Sequence, residues 1–533
     1  MARKAGNAAT LLSVSQASAW ASDMTGRNVT PSNISYLIRY NRIAGTKNGG
    51  ALQVDVDDLK RYYESQIRCE KELHTDDPEG ELYRLLSFSK YKEAETTKHI
   101  HRLHPYKGKF IPQLVEYFLD AHTDAYKTDA CFSPGDIILD PFCGSGTTLA
   151  QANELGMHAV GIDISPFNTM ISNLKLSCVS PVELTKAARW IGDKLAADDA
   201  SRAARDFEEE LLDALKTFNG EFFPAPEFRQ KVRQGLIDEK RYSAEKANQF
   251  LPRFNDLLKK HGIDNKIDAA GDAFLDNWYL PSVKAEIAYV KSLIEKGSNP
   301  LLTDMLRLIL SRSVRSARAT SHSDLATLVK PVTETYYCRK HSKICKPIFS
   351  MFGWWQRYAD DTVKRLVQFE KLRTDTRQIC MTGDSRGIDI FDRLSTVDAP
   401  LGEMSRKKKI RGIFSSPPYV GMIDYHEQHA YAYELFGLPR NDSAEIGPLR
   451  QGKSRQAQEA YIEGIAQVLR NCREYMVDDA DIFLVANDKM TLYPRIAECA
   501  DLAIVKEYHR PVLNRSEGDK GSYAETIFHM QGR

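Results

Sequence analysis

At 533 residues the chain is too long for one ordinary hydrophobic core and is expected to divide into several packed units. Hydrophobic residues at 42% and charged residues at 27% exclude a disordered or fibrous chain. A formal net charge of +1 leaves any nucleic-acid contact to local basic patches, and nine cysteines at irregular spacing exclude a secreted disulfide scaffold.

Residues 1–66 are expected to form a unit of their own. A helix starts near Leu12–Ala17 with Ser13 or Ser15 as N-cap, and Asn28–Pro31 breaks it. A second helix runs from Ser32 to Asn41 with Ile34, Leu37 and Ile38 inward, followed by a glycine-rich hairpin at 45–50 and a last helix from Val54 to Tyr63. Two helices, a turn and a hairpin resemble the winged helix-turn-helix of excisionase-like and MerR-like DNA binders. That resemblance implies a second helix in the major groove, offering Ser32, Asn33, Tyr36, Arg39 and Arg42. A protein-interaction or capping domain is the alternative.

A polar stretch at 70–100 reads as a connection. Ile137-Ile138-Leu139 is a short apolar strand that runs into Asp140-Pro141-Phe142-Cys143-Gly144-Ser145-Gly146-Thr147-Thr148 and then a helix; His158–Ile164 is the next strand. This βαβ order predicts a parallel, doubly wound α/β sheet. Gly144 and Gly146 let the backbone turn and approach a ligand closely, and the helix start offers N–H groups to an anion such as a carboxylate. Asp163 ends the second strand about 20 residues later, where an acid holds ribose hydroxyls in dinucleotide folds. A nucleoside-containing cofactor is therefore expected. No Gly-Lys-Ser/Thr follows, which excludes a P-loop, and the three-glycine spacing of NAD sites is absent.

Residues 181–375 read as helical, without strand–helix alternation, and are expected to be an inserted domain. Strands resume at Gln378–Thr382, Gly412–Phe414, Asp481–Ala486, Ala503–Tyr508 and Thr526–Met530. The strand ending at Phe414 enters Ser415-Ser416-Pro417-Pro418-Tyr419, a stiff extended turn whose carbonyls no ladder consumes.

Asp140–Thr148 together with Ser416-Pro417-Pro418-Tyr419 resembles the paired signature of the amino-methyltransferases of DNA. The resemblance covers roughly 100–180 and 376–533 and implies a Rossmann-like methyltransferase fold with S-adenosylmethionine as methyl donor. Serine at position 416 resembles the N4-cytosine group more than the N6-adenine group, where Asp or Asn is usual. It implies that the Ser416 side chain and the Pro417 carbonyl accept from an exocyclic amine, with Pro418 shaping the turn and Tyr419 stacking on a flipped base. The cofactor-binding set it implies is Lys109, Phe110, Asp140, Pro141, Phe142, Cys143, Gly144, Ser145, Gly146, Thr147, Asp163, Ile164 and Asp384. Within it, His104–Pro112 resembles the segment that closes over the methionine moiety, and Asp384 would accept from the adenine amine. Asp424-Tyr425 also matches a subgroup of these enzymes. C5-cytosine chemistry needs a Pro-Cys pair, and no cysteine here follows a proline.

Arg312, Arg315 and Arg318 recur near one helical face and, with Arg307, are expected to track phosphates. Arg406–Lys409 is expected to be an exposed loop, and Trp354-Trp355 and Trp278-Tyr279 to be packing residues. Cys338-x2-His341-x3-Cys345 supplies three donors where a tetrahedral site needs four, so no metal is expected; Arg339, Lys340, Lys343 and Lys346 around it form a basic patch.

The expected layout is a DNA-binding unit at 1–66, the cofactor half of the methyltransferase domain at 67–180, a helical target-recognition insert at 181–375 and the catalytic half at 376–533. The expected activity is methylation of cytosine N4 in double-stranded DNA, as the modification partner of a separate restriction nuclease. The expected place is the cytoplasm, associated with the nucleoid through DNA and without membrane attachment. The rivals are an N6-adenine DNA methyltransferase, an RNA amino-methyltransferase, and a non-catalytic DNA-binding regulator.

Overall fold

The computed structural model describes residues 11–25, 29, 31–39, 43, 45–48, 51–71, 85–106, 108–267, 271, 273–322, 328–512 and 523–533. Along these the strands are β1 (Leu11–Ser13), β2 (Gly45–Asn48), β3 (Ala51–Asp55), β4 (Ile137–Asp140), β5 (His158–Asp163), β6 (Tyr336–Cys338), β7 (Lys343–Cys345), β8 (Gln378–Thr382), β9 (Ile410–Ser415), β10 (Met476–Ala486), β11 (Leu502–Pro511) and β12 (Ala524–Gly532).

The chain forms two units. One comprises Met1–Asp76, Leu195–Glu286 and Ala317–Phe352; the other comprises Asp77–Lys194, Ile287–Ser316 and Gly353–Arg533. The stretch expected as a single insert at 181–375 is thus divided between them. The reason lies in the helix Pro300–Ser316, which buries seven consecutive residues from Leu308 to Val314 and packs on the helix Pro166–Leu176 as part of the sheet unit's own core.

In the first unit, helices Val14–Thr25 and Pro31–Arg39 precede the β2–β3 hairpin and a helix at Val56–Lys71, with strand order β1-β3-β2. Ala17, Ala21, Ile34, Leu37, Ile38, Val54 and Leu59 form its small core. The middle of the chain also carries the β6–β7 hairpin, which its helical periodicity concealed.

The sheet unit is built on one seven-stranded sheet in the order β11-β12-β10-β9-β4-β5-β8. The pairs β8–β5, β5–β4, β4–β9 and β9–β10 are parallel, and β12 runs antiparallel between β10 and β11. Strand β4 is buried along its whole length, as an apolar run covered on both faces requires. From β4 the chain steps outward through β5 to β8, then returns to β9 on the other side of β4 and continues to β10. Right-handed crossovers in opposite directions place helices on opposite faces and leave a crevice at the carboxyl ends of β4 and β9. Val160, Ile162, Ile413, Ile482 and Leu484 fill the core, each large aliphatic side chain contributing about 1.5–3 kcal/mol by burial. Trp355 is fully buried and donates to the Ala188 carbonyl at 3.0 Å, the packing role its pattern predicts. The basic run at 406–409 is not a loop: Arg406–Lys408 closes the helix Ala399–Lys408, where Lys407 pairs with Glu403 at 2.7 Å and Arg406 pairs with Asp392. Among the described residues, no helix is long and apolar enough to cross a membrane.

Candidate active site

The two loops singled out in the sequence meet because their strands are neighbours. In the parallel β4–β9 pair, Ile138 stands beside Gly412 and Leu139 beside Ile413, so the turns that leave both strands emerge at one edge. Two hydrogen bonds from side-chain hydroxyls lock them there. Ser415 donates to Asp140 Oδ1 at 2.5 Å, and Thr148 Oγ1 donates to the Phe414 carbonyl at 3.2 Å. Burial raises the Asp140 carboxyl to about 6 despite the bonds it accepts from Ser415 and the Phe142 N–H.

The glycine loop has the backbone its composition demands. Gly144 has φ +51° and Gly146 φ +73°, and Gly146 caps the helix Thr147–Glu154. A Cβ at Gly144 would stand 3.0 Å from the Tyr106 ring, and one at Gly146 would stand 2.9 Å from Ser172 Oγ, so both need glycine for space as well as for φ. Ser172 Oγ donates to the Gly144 carbonyl at 3.0 Å, and buried Lys175 donates to the Ser145 carbonyl.

Asp163, at the end of β5, is gripped from three sides. Its Oδ2 accepts from Gly144 N–H at 2.8 Å; its Oδ1 accepts from Ser165 N–H at 2.8 Å and Asn168 Nδ2 at 3.1 Å. Burial is the largest influence and raises its carboxyl to about 6. A carboxylate offers about four lone-pair directions, so it can still accept from a ligand's hydroxyls. Ser165 caps the helix Pro166–Leu176, which fixes Asn168 in its first turn.

One cleft collects most of the predicted residues: Lys109, Phe110, Asp140, Pro141, Phe142, Cys143, Gly144, Ser145, Thr147, Asp163, Ile164, Asp384, Ser416 and Pro418 line it. Gly146, Pro417 and Tyr419 do not line it. Pro417 is buried, and Tyr419 packs against the core with its hydroxyl donating to Glu525 Oε1 at 2.9 Å. Asp384 reaches the cleft while paired with Arg386 at 2.6 Å, and Ser385 donates to the Pro141 carbonyl at 2.7 Å, tying the end of β8 to the glycine loop. Lys109 donates to the His101 carbonyl at 2.5 Å; burial, with Arg102 and Arg365 nearby, lowers its amine to about 8.

The sequence reading missed Asn168 and Glu445, which also line the cleft, and assigned no ligand role to Tyr106 or Tyr425, which do too. The Tyr106 and Tyr425 rings lie 6.2 Å apart at 25°. Glu445 accepts from His426 Nδ1 at 2.7 Å and from Arg450 at 2.8 Å; burial pushes it up, but the His426 bonds outweigh that and hold it below its ordinary value. Asn168 and Tyr425 had sequence signals, one turn beyond Asp163 and in the Asp-Tyr pair respectively; Glu445 had none.

The cleft fits the cofactor expected from the sequence. The Ser145 hydroxyl and Asn168 Oδ1 are buried without a hydrogen-bond partner at its wall, Gly144 lines it without a side chain, and Asp163 supplies an acid at the end of β5.

The predicted DNA contacts fare differently. Asn33, Tyr36 and Arg39 lie on the helix Pro31–Arg39, their side chains outside the described residues, and Arg42 lies outside them altogether. Arg312 and Arg318 are corrected: at 3% and 7% exposure neither side chain is on offer to a phosphate. Arg312 instead donates to Thr362 Oγ1 at 2.6 Å, pairs with Asp361 and lies over the Tyr358 ring at 4.4 Å. Arg315 is half-buried, and Arg307 pairs with Asp304 at 2.9 Å.

Known proteins resemble this chain, one of them over nearly its whole length. A family model for DNA methylases of the N6/N4 type matches residues 25–173. The chain is 41% identical to the type II methyltransferase M.MjaII of Methanocaldococcus jannaschii over 525 residues, covering 98% of this chain and 97% of that protein. It is 33% identical over 103 residues to the type II methyltransferase M.MvaI of Kocuria varians, which is 19% of this chain and 21% of the relative. It is 38% identical over 76 residues to M.BsoBI of Geobacillus stearothermophilus, 14% of this chain and 13% of the relative.

Proposed function

Because this chain belongs to the type II DNA methyltransferases of the N6/N4 family, which use S-adenosylmethionine as methyl donor, we propose that it methylates N4 of cytosine in duplex DNA. The observation that carries this reading is that Ser416 and Pro418 line the same cleft as Gly144 and Asp163. S-adenosylmethionine supplies an electrophilic methyl group on a sulfonium.

In this reading Asp163 holds the ribose hydroxyls, Asp384 accepts from the adenine amine, and the N–H groups around Ser145 face the methionine carboxylate. Lys109 and Phe110 close the near wall. An exocyclic amine is a poor nucleophile because its lone pair is delocalised into the ring. The Ser416 hydroxyl and the Pro417 carbonyl accept its two hydrogens and draw the nitrogen toward tetrahedral geometry, so rate comes from positioning and electrostatics. Tyr419, anchored through Glu525, stacks on the extruded base. The N-terminal helices act as a helix-turn-helix reader of the major groove, with Asn33, Tyr36, Arg39 and Arg42 as its contacts, and a separate nuclease is the restriction partner.

Incubation with methyl-labelled cofactor and duplex DNA, followed by nucleoside analysis, tests this. N4-methylcytosine is the expected product. N6-methyladenine, or no transfer at all, overturns the assignment.

A further inference from the structure

The Cys338-x2-His341-x3-Cys345 run offered three donors in sequence, and the fold brings in a fourth. His322, sixteen residues upstream of Cys338, lies beside them, and one ligand atom from each of the four side chains lies within 4.8 Å of the others. We propose that the unit containing the β6–β7 hairpin binds one structural Zn²⁺ through His322, Cys338, His341 and Cys345.

The hairpin is shaped for this. Its register pairs Tyr336 with Cys345 and Cys338 with Lys343, so the two cysteines stand toward opposite ends of the short ladder. Between them His341 N–H donates to the Cys338 carbonyl at 3.1 Å and Ser342 has φ +50°, a tight turn that carries the imidazole back over the strands. Both cysteines are buried. His341 Nδ1 stands 3.5 Å from Cys345 Sγ. A tetrahedral zinc with its usual sulfur and nitrogen bond lengths has a ligand-to-ligand edge of about 3.6 Å, so this pair already has the spacing of two ligands on one ion. The His322 and His341 rings approach with centroids 4.4 Å apart at 67°, converging rather than stacking.

His322 is also oriented as metal-binding histidines are. Its Nδ1 meets the Tyr336 hydroxyl at 2.8 Å, and its backbone N–H donates to that same oxygen at 3.1 Å. With the proton on Nδ1, the hydroxyl accepts both bonds and Nε2 keeps its lone pair for a ligand, the arrangement that outer partners impose on coordinating imidazoles. Two thiolates and two neutral imidazoles form a closed donor set suited to zinc in a structural role.

Two other groupings are weaker. His99, His101 and Glu154 include a carboxylate already paired with Lys98 at 2.7 Å, and Cys131, Asp481 and His529 provide three donors. The β6–β7 site is further distinguished by firm anchorage. Asn219 bonds Ile344 through both its N–H and its carbonyl at 2.9 Å, Tyr337 donates to Glu239 at 2.7 Å, and Arg229 donates to Ser342 Oγ at 2.5 Å. Metal at the tip would fix the loop that carries exposed Arg339 and Lys340.

The test is elemental analysis of the full-length protein, purified without chelator. About one zinc per chain is expected, with Cys338→Ser and Cys345→Ser each losing it. Replacement by Co²⁺ should give the thiolate charge-transfer and tetrahedral ligand-field bands of a two-sulfur site. Since the cysteine variants risk misfolding, Tyr336→Phe, which removes only the outer partner of His322, is the second variant. It should weaken zinc binding about 10- to 100-fold in chelator competition, and His322→Ala should weaken it more. Wild-type protein that neither contains zinc nor takes up added Zn²⁺ or Co²⁺ overturns the proposal. So does zinc that persists at full occupancy in both cysteine variants.

Discussion

Two regions of the sheet unit bury charge for opposite ends. On the helices Pro300–Ser316 and Phe352–Glu370, Arg312 is enclosed by groups that hold its two terminal nitrogens and its flat face: Thr362, the Asp361 carboxylate, which Arg365 also holds at 2.8 Å, and the Tyr358 ring. At the ends of β4 and β5, Asp140 and Asp163 are also buried and bonded, yet both form part of a cleft wall, and burial leaves both carboxyls near 6. The difference teaches that burial alone does not mark a functional charge. A charge whose partners close around it holds the fold together, whereas one that borders an open cleft is held ready for a ligand.

Removing Arg312 should give the largest effect. Arg312→Ala leaves Asp361 and Thr362 short of a partner and should cost about 3–5 kcal/mol of unfolding free energy, with the salt dependence of DNA binding unchanged. A shallower salt slope at intact stability would make Arg312 a phosphate contact and erase the contrast. Asp140→Asn keeps an acceptor for Ser415 and removes the buried charge. Because the folded carboxyl is raised from 3.8 to about 6, the wild type loses stability as pH climbs through that interval, whereas the variant does not titrate there. Urea unfolding should find the two alike near pH 4 and the variant ahead by up to about 3 kcal/mol above pH 6. A constant difference across that range would show that Asp140 does not titrate there.

Asp163→Ala should raise the cofactor dissociation constant about 10- to 100-fold, near 1.4–2.8 kcal/mol in titration calorimetry. An unchanged constant would move the ribose elsewhere. The smallest effect belongs to Tyr419, at the margin of the site. Tyr419→Phe loses one hydrogen bond to Glu525 and should cost about 1 kcal/mol of stability. Tyr419→Ala should slow turnover more than it weakens cofactor binding, and equal losses in rate and titration would contradict stacking.

What could be read from the sequence follows from how local each signal is. Strands β4, β5 and β8 to β12 announced themselves as apolar runs, and both loops were punctuated by glycine or proline, whose backbone limits hold in any context. The cleft wall was therefore legible from Lys109 to Ser416. Glu445 was not, because its place depends on His426 and Arg450, which the fold alone brings to it. The arginine helix misled for a physical reason. Three-residue spacing imitates an exposed stripe, but the helix is buried on every side from Leu308 to Val314, so no solvent face exists there for Arg312 to occupy. His322 escaped because a ligand sixteen residues before the first of its partners has no spacing rule to betray it.

The junction of β4 with β9 also sets a clock. The ribosome completes β4 about 270 residues before it reaches Ile410, and at ~5–20 residues per second that gap lasts roughly 14 to 54 seconds. Throughout it, one flank of a strand with three apolar residues in a row, Ile137 to Leu139, waits without its partner, in the crowded setting where unpaired edges aggregate. Yield of intact enzyme in the cell should therefore follow the supply of chaperones and the pace of translation more closely than it follows the equilibrium stability of the finished molecule.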